Sequence, residues 1–224
     1  MTYPPGTIIL VSGELTRYAT FTQSMLSLVA PPGSQVVWKP GVNIAGNLNL
    51  SLEERIGEWV FLMGDDHLFA PDVLWRLLRH EKDVVAPLVC KRKPPFDPLV
   101  YRQSSTNLMG IEGIPPAELP PGGLIPVAAC ACAGILIKRR VIDALVPPYF
   151  EVGQVKSDEL QEDLYFLQKV RAKGFELYVD LDTKLGHSTP AHVWPQYQDG
   201  RWQVLIDLEG YVPEIGGGHA VGLG

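Results

Sequence analysis

Two carboxylates and an imidazole stand together in Gly64-Asp65-Asp66-His67, where an apolar run from Trp59 to Met63 stops abruptly. Hard oxygen ligands on a turn suit Mg2+ or Mn2+, ions that take one or two protein carboxylates along with substrate phosphates. The neighbouring histidine tilts the preference towards Mn2+. The rival assignment is a helix cap. Pro71 suits a first helical position, and Asp65 or Asp66 could satisfy the free amides and the dipole of the helix it opens. Spacing leaves ion and cap evenly matched.

A second acidic group, Asp158, Glu159, Glu162 and Asp163, lies far along the chain. Acids in the first turns of a helix are favoured by its dipole, and on spacing that reading leads. Glu162 and Asp163 lie deeper than the cap, however. Asp163 also adjoins the apolar Leu164 and Phe166, where partial burial would poise a general base. The third group is His187 in "LGHSTP", shortly after a strand. It can return to the same sheet edge as the acidic turn and supply a ligand. His80, His192 and His219 have no such context and are assigned to surface or structure.

The elements that must position these groups follow from patterning. Thr7 to Val11, Gln35 to Trp38, Glu58 to Met63 and Asp83 to Cys90 are β-branched or apolar runs of strand length. Between them, helices are expected over Thr16 to Val29 (Phe21, Met25, Leu26 and Leu28 at helical spacing) and from an Asn47 cap to Gly57 (Leu48, Leu52 and Ile56 on one face). A third follows Pro71, burying Leu74, Leu77 and Leu78. Strands alternating with helices imply a mostly parallel sheet covered on both faces, with ligands outside the strands' carboxyl ends. Residues 91–126 hold so many prolines that regular helix and central strand are both disfavoured, leaving a long functional loop or lid, or a loose surface loop. A strand through Ile137 and a short helix come next. A helix capped by Ser157 then runs to Gly174, and "FELYVD" is a further strand. A hairpin turning at Asp199-Gly200 and a frayed Gly-rich tail close the chain.

The chain has 224 residues, with 46% hydrophobic and 20% charged, which suits one large domain with a short appendage: 1–190, then 191–224 as hairpin and tail. Cys90, Cys130 and Cys132 lack zinc-site spacing, and Cys130 and Cys132, in an apolar run, are expected as reduced core thiols of a cytoplasmic protein. No apolar run reaches membrane-spanning length, and no secretory leader opens the sequence. The net charge of -6 argues against bulk binding to nucleic acid or anionic lipid. The basic clusters Lys91-Arg92-Lys93 and Lys138-Arg139-Arg140 are assigned to solvated loop ends, with phosphate contact as the alternative.

Together these motifs resemble a GT-A glycosyltransferase, close to family 2 in style, over roughly residues 7 to 190. "EWVFLMGDD" is similar to the strand that ends in the family's DxD motif. "DLYFLQKVRAKGFELYVD", preceded by Glu162, resembles its "ED" helix and the strand behind it. "LGHS" is similar to the loop that gives some members a histidine ligand, and "NIAGNLNLSLEERIGEWVFL" parallels the helix leading into the metal strand. The resemblance implies a Rossmann-like fold and Mn2+ or Mg2+ held by Asp66 and His187. Asp65 and His67 are the ligands of an alternative register. It further implies a nucleotide-sugar donor, UDP by default, near Ser12, Gly13, Asn47, Asp65 and Gly134. Asp163, with Glu162 beside it, is implied as the catalytic base of an inverting hexosyltransferase. Acceptors compatible with such an enzyme are protein, glycan, small molecule or modified DNA, in a bacterial or phage setting.

Three departures from the family pattern stand out. Gly64 occupies the place of the first Asp of the motif, Gly46 replaces an Arg before Asn47, and "VVWKPG" lacks an acidic base-reading residue. They motivate a rival of another class, a non-catalytic nucleotide-sugar or glycan-binding module on the same fold. A nucleotidyltransferase ranks lower, because "VSGELTRYATF" is no Gly-rich basic phosphate loop.

Overall fold

The computed structural model describes residues 2–13, 19–106, 110–155, 158–198, 201–208 and 220–221. In the first half, strands and helices alternate: β1 (Thr7–Val11), α1 (Ala19–Ser27), β2 (Gln35–Trp38), α2 (Ile44–Glu53) and β3 (Trp59–Gly64). A two-residue strand β4 (His67–Leu68), α3 (Val73–Leu78) and β5 (Val84–Leu88) follow. The proline-rich stretch then carries β6 (Val100–Gln103), β7 (Ile111–Gly113) and β8 (Leu124–Val127), and leads into β9 (Ala129–Cys130), β10 (Ile135–Lys138) and α4 (Arg139–Asp143). After β11 (Gly153–Val155) and β12 (Asp158–Leu160) come α5 (Glu162–Ala172), β13 (Leu177–Lys184) and β14 (Gly186–His187). Strands β15 (Ala191–Gln198), β16 (Arg201–Leu208) and β17 (Ala220–Val221) form a separate small sheet.

Seven strands make the central sheet in the order β2-β1-β3-β10-β5-β13-β8. Strands β2, β1 and β3 run parallel, as do β5 and β13; β10 lies antiparallel between β3 and β5, and β8 antiparallel on the far edge. The architecture is therefore mixed α/β with a mostly parallel sheet flanked by helices. Apolar layers cover both of its faces, which explains why β3 is hydrophobic without alternation. Its Val60 and Leu62 join Ile9, Ile135, Leu52, Phe166 and Leu167 on one face. Trp59, Phe61 and Met63 join Ile8, Phe21, Leu74 and Leu77 on the other. Phe61 is fully buried, and truncating it to alanine would cost about 3–5 kcal/mol.

Several expectations need correction. Leu26 is 86% exposed, so α1 buries little beyond Phe21, and Ile56 lies past the end of α2 on the surface. The cap of α2 is Asn43, whose carboxamide oxygen accepts from Gly46 N at 3.0 Å; Asn47 lies inside the helix. Helix α5 starts at Glu162, because residues 158–160 pair as β12 with β11 (Val155↔Asp158). Glu162 and Asp163 are thus its first two residues, and the Ser157 cap lies outside the described residues. The stretch 91–126 is less irregular than expected, holding β6, β7 and most of β8, although β8, the strand that carries Pro126, is an edge strand of the central sheet, as the prolines require. The register of β15 with β16 (Gln198↔Arg201) is that of the expected hairpin, although its turn at 199–200 and most of the tail lie outside the described residues.

Two details shape the sheet at the carboxyl ends of β3 and β5. Strand β10 pairs with β5 only at Leu136↔Val85 and Ile137↔Val84; Pro87, which has no N–H to donate, lies further along β5 in register with Asp180 of β13. Because β10 is antiparallel, its entry loop, residues 132–134, lies at the carboxyl ends of β3 and β5.

Candidate functional site

The acidic turn is anchored from both sides. Asp65 N donates to the Val11 carbonyl at 3.1 Å, and Ser188 N donates to the Asp66 carbonyl at 2.8 Å. Strand β4 pairs with β14 so that His67 stands opposite His187. The next helix begins at Val73, and Asp72, which precedes it, directs its carboxylate to Arg76 Nε at 2.9 Å. Neither Asp65 nor Asp66 caps a helix; the cap assignment is excluded.

Each oxygen of the Asp66 carboxylate faces an imidazole. Oδ1 is 2.7 Å from His67 Nδ1, and Oδ2 is 3.2 Å from His187 Nε2. The two rings stack at 4.4 Å with planes 24° apart. His187 Nδ1 lies 2.8 Å from the Cys90 carbonyl, which can only accept, so Nδ1 carries the proton. In the neutral ring Nε2 then presents a lone pair to a carboxylate, and a cation must lie between them, whether a proton or a metal. At His67 both ring nitrogens are buried without a hydrogen-bond partner; the short approach to Asp66 lacks hydrogen-bond alignment. Leaving such atoms unsatisfied costs about 1–3 kcal/mol each. The ligand atoms of Asp66, His67 and His187 all lie within 4.8 Å of one another, a donor set that fits a small divalent ion. Burial pushes the Asp66 carboxyl up, but the contacts from His187 and His67 outweigh it and hold the group well below the usual carboxylate range.

Another histidine–aspartate pair shows what a structural one looks like. His80 Nε2 is 2.9 Å from Asp180 Oδ2, and the same carboxylate accepts from Thr183 Oγ1 at 2.7 Å and Asp182 N at 3.0 Å. Every bond there is closed within the fold, so His80 is structural, as expected.

Gly64 owes its identity to the site. A Cβ on it would stand 2.9 Å from His67 Nδ1 and 3.1 Å from Asp66 Oδ1. The turn folds Asp66 and His67 back over the end of β3, and only a residue without a side chain leaves room. Gly134 is different. It has φ +68°, and its Cβ would stand 2.8 Å from both Leu185 Cδ1 and Pro87 Cγ. The positive φ and the packed Leu185 and Pro87 side chains account for a glycine at this position.

Ser12, Gly13 and Asn47 do come together. The Ser12 carbonyl accepts from Gly41 N at 3.1 Å, and Asn47 Nδ2 donates to the Gly41 carbonyl at 3.0 Å. Gly13 faces the Ile44 side chain at the start of α2. These three sit at the carboxyl ends of β1 and β2, adjoining Asp65 through its bond to Val11.

Asp163, at the start of α5, is joined to the same edge through the loop 132–134: the Cys132 thiol donates to its carbonyl at 3.9 Å. Desolvation pushes its carboxyl up to about 6, with the Glu162 charge adding to the rise, while the Leu164 amide, donating to Oδ1 at 2.7 Å, partly offsets it. Burial and then the Asp163 charge also raise the Tyr101 hydroxyl and push the Cys130 thiol to about 12. The cysteines are free and, at positions 130 and 132, protonated. Tyr101 as a neighbour of Asp163 had no sequence signal.

The basic clusters divide. Lys138, Arg139 and Arg140 are tied to Glu81, Asp143 and Asp83 at the opposite end of the sheet. Arg92 instead brings Nη1 to 3.3 Å from Asp66 Oδ2, so its assignment to a solvated loop end is corrected. Among the described residues no helix is long and apolar enough to cross a membrane.

No family model and no curated protein matches the chain. Among solved structures 103 chains match, so the architecture is a recurrent one. One of them is A197 from STIV, 14% identical, with the match covering 92% of this chain and 95% of that chain at a TM-score of 0.52. At that identity the likeness concerns the fold: this chain shares a mixed α/β architecture with that protein over nearly its whole length.

Proposed function

We propose that the chain is a metal-dependent glycosyltransferase of the GT-A type, transferring a sugar from a nucleotide-sugar donor to an acceptor hydroxyl. The observation that carries this reading is the triad of Asp66, His67 and His187, whose ligand atoms lie within 4.8 Å of one another, with both buried ring nitrogens of His67 lacking a hydrogen-bond partner. Ser12, Gly13, Asn47 and Asp65 border that point at the carboxyl ends of the parallel strands, where a nucleotide would lie in such a sheet. Mn2+ fits the mixed nitrogen and oxygen donors best, with Mg2+ the alternative. A bound divalent ion would supply a Lewis acid for the departing diphosphate.

The chain's own residues supply the rest. Asp163 is ionised above about pH 6 and half-buried, which suits a group that takes a proton from the acceptor hydroxyl. The acceptor oxygen bonds to the anomeric carbon, the bond from that carbon to the diphosphate breaks, and its electron pair leaves with the nucleoside diphosphate. The acceptor's proton ends on Asp163. Attack opposite the leaving group inverts the anomeric centre.

The test is a panel of nucleotide sugars with Mn2+, scored by nucleoside diphosphate release. Release that disappears on adding chelator and in Asp66→Ala supports the reading. Binding of a donor without turnover, with acceptors of all four classes supplied, would replace it with the non-catalytic module.

A further inference from the structure

We infer that Arg92 is a stand-in cation. It neutralises Asp66 while the ion site is empty, and it moves to the phosphates of the donor when the ion arrives. The inference rests on reading Asp66, His67 and His187 as a divalent-ion site and adds a specific role for a residue outside that triad.

The loop that carries Arg92 is pinned at its base. Leu99 N donates to the Val89 carbonyl at 2.9 Å, Lys91 N to the Asp97 carbonyl at 2.9 Å, and Phe96 N to the Lys93 carbonyl at 2.9 Å. The Cys90 carbonyl at its root also fixes the tautomer of His187. These bonds hold the loop at its base beside the site, while the Arg92 side chain is 49% exposed. Lys91, its neighbour, is already neutralised by Asp97 at 3.3 Å. Arg92 is the basic residue of this loop that faces the ligand triad, on Oδ2, the same oxygen that faces His187.

A divalent ion between Asp66 and the two imidazoles would put two positive charges within a few ångströms of the guanidinium. Its attraction to Asp66 then turns into net repulsion. The anion that arrives with such an ion is a diphosphate, and a guanidinium fork matches two phosphate oxygens better than one shared carboxylate oxygen. The exchange needs only side-chain rotation.

The consequence is a pair of opposite effects from one substitution. Arg92→Ala should tighten binding of Mn2+ alone, by about twofold to fivefold, the worth of one half-exposed ion pair. It should weaken binding of inorganic pyrophosphate to the Mn2+-saturated protein, by about tenfold. Both are read by calorimetry on the full chain at low ionic strength, with Arg92→Lys as the charge-retaining control expected to lie between. Wild type that binds Mn2+ while Arg92→Ala binds it equally or more weakly overturns the stand-in role. Unchanged pyrophosphate affinity overturns the hand-over. Wild type that takes up no Mn2+ overturns the ion site itself, and this inference with it.

Discussion

The turn after β3 and the first turn of α5 each put a carboxylate at the same sheet edge, and the fold treats them in opposite ways. Asp66 is surrounded by imidazoles that hold it ionised far into the acid range. Asp163 is surrounded by apolar side chains, protonated thiols and a second acid, Glu162, and keeps its proton up to about pH 6. A carboxylate that stays an anion far into the acid range has the property a metal ligand needs. One that changes state near pH 6 has the property a general base needs. Pairs of acids whose surroundings drive their pKa values apart mark a division of labour.

The comparison breaks first at the level of turnover. Asp163→Asn should lower the rate by about two to four orders of magnitude while leaving Mn2+ affinity within about twofold of wild type. The wild-type rate should rise with pH through about 6 and then level off, because the base works only when ionised. A flat profile between pH 5 and 7 would remove Asp163 from that role. Asp66→Ala should do the reverse, lowering Mn2+ affinity by about a hundredfold, the order of one lost ligand in a three-ligand set. Gly64→Ala should cost about tenfold in the same titration by pushing His67 out of place, with little loss of thermal stability. Gly64→Asp should be worse, not better; recovery of metal binding there would show that this turn is looser than its contacts imply.

The smallest effect concerns stability. The folded-state pKa of Asp163, about 6, lies above the ordinary value near 4, so ionising it costs the fold. That cost is absent below about pH 4, grows between 4 and 6, and is complete above. Asp163→Asn should therefore be more stable than wild type by about 1–2 kcal/mol at pH 7.5 and indistinguishable at pH 4, measured by urea unfolding at both. Equal stabilities at both pH values would mean that the carboxylate is better solvated than its neighbours suggest.

How much of this the sequence revealed depended on how local the cause was. The strands β1, β2, β3 and β5 were visible because an unbroken apolar run has few alternatives. The two carboxylates and His187 were singled out by residue type and by position after a strand. What could not be read was pairing. Strand β4 exists only because β14 meets it, so Asp66 looked like a possible cap when β4 in fact separates it from α3. Residues 158–160 favoured a helix start until β11 claimed them. Arg92 looked like one of three solvated cations, since nothing near it in sequence shows that the loop bends back over Asp66. Gly64 was the most misleading. As a letter it was a missing ligand, and only the folded turn shows it as the space into which two ligands fit.

The two-residue ladder of β4 and β14 has a consequence for how the chain comes together. Asp66 and His187 are separated by 121 positions, and most of the central sheet lies between them. An ion held by both is a clasp on nearly the whole domain. It cannot be gripped by a chain that has merely collapsed, nor by one still emerging and short of residue 187. Uptake of the ion would accordingly be a late event, a signal that the chain has closed, and each tenfold of metal above its dissociation constant would add about 1.4 kcal/mol against opening.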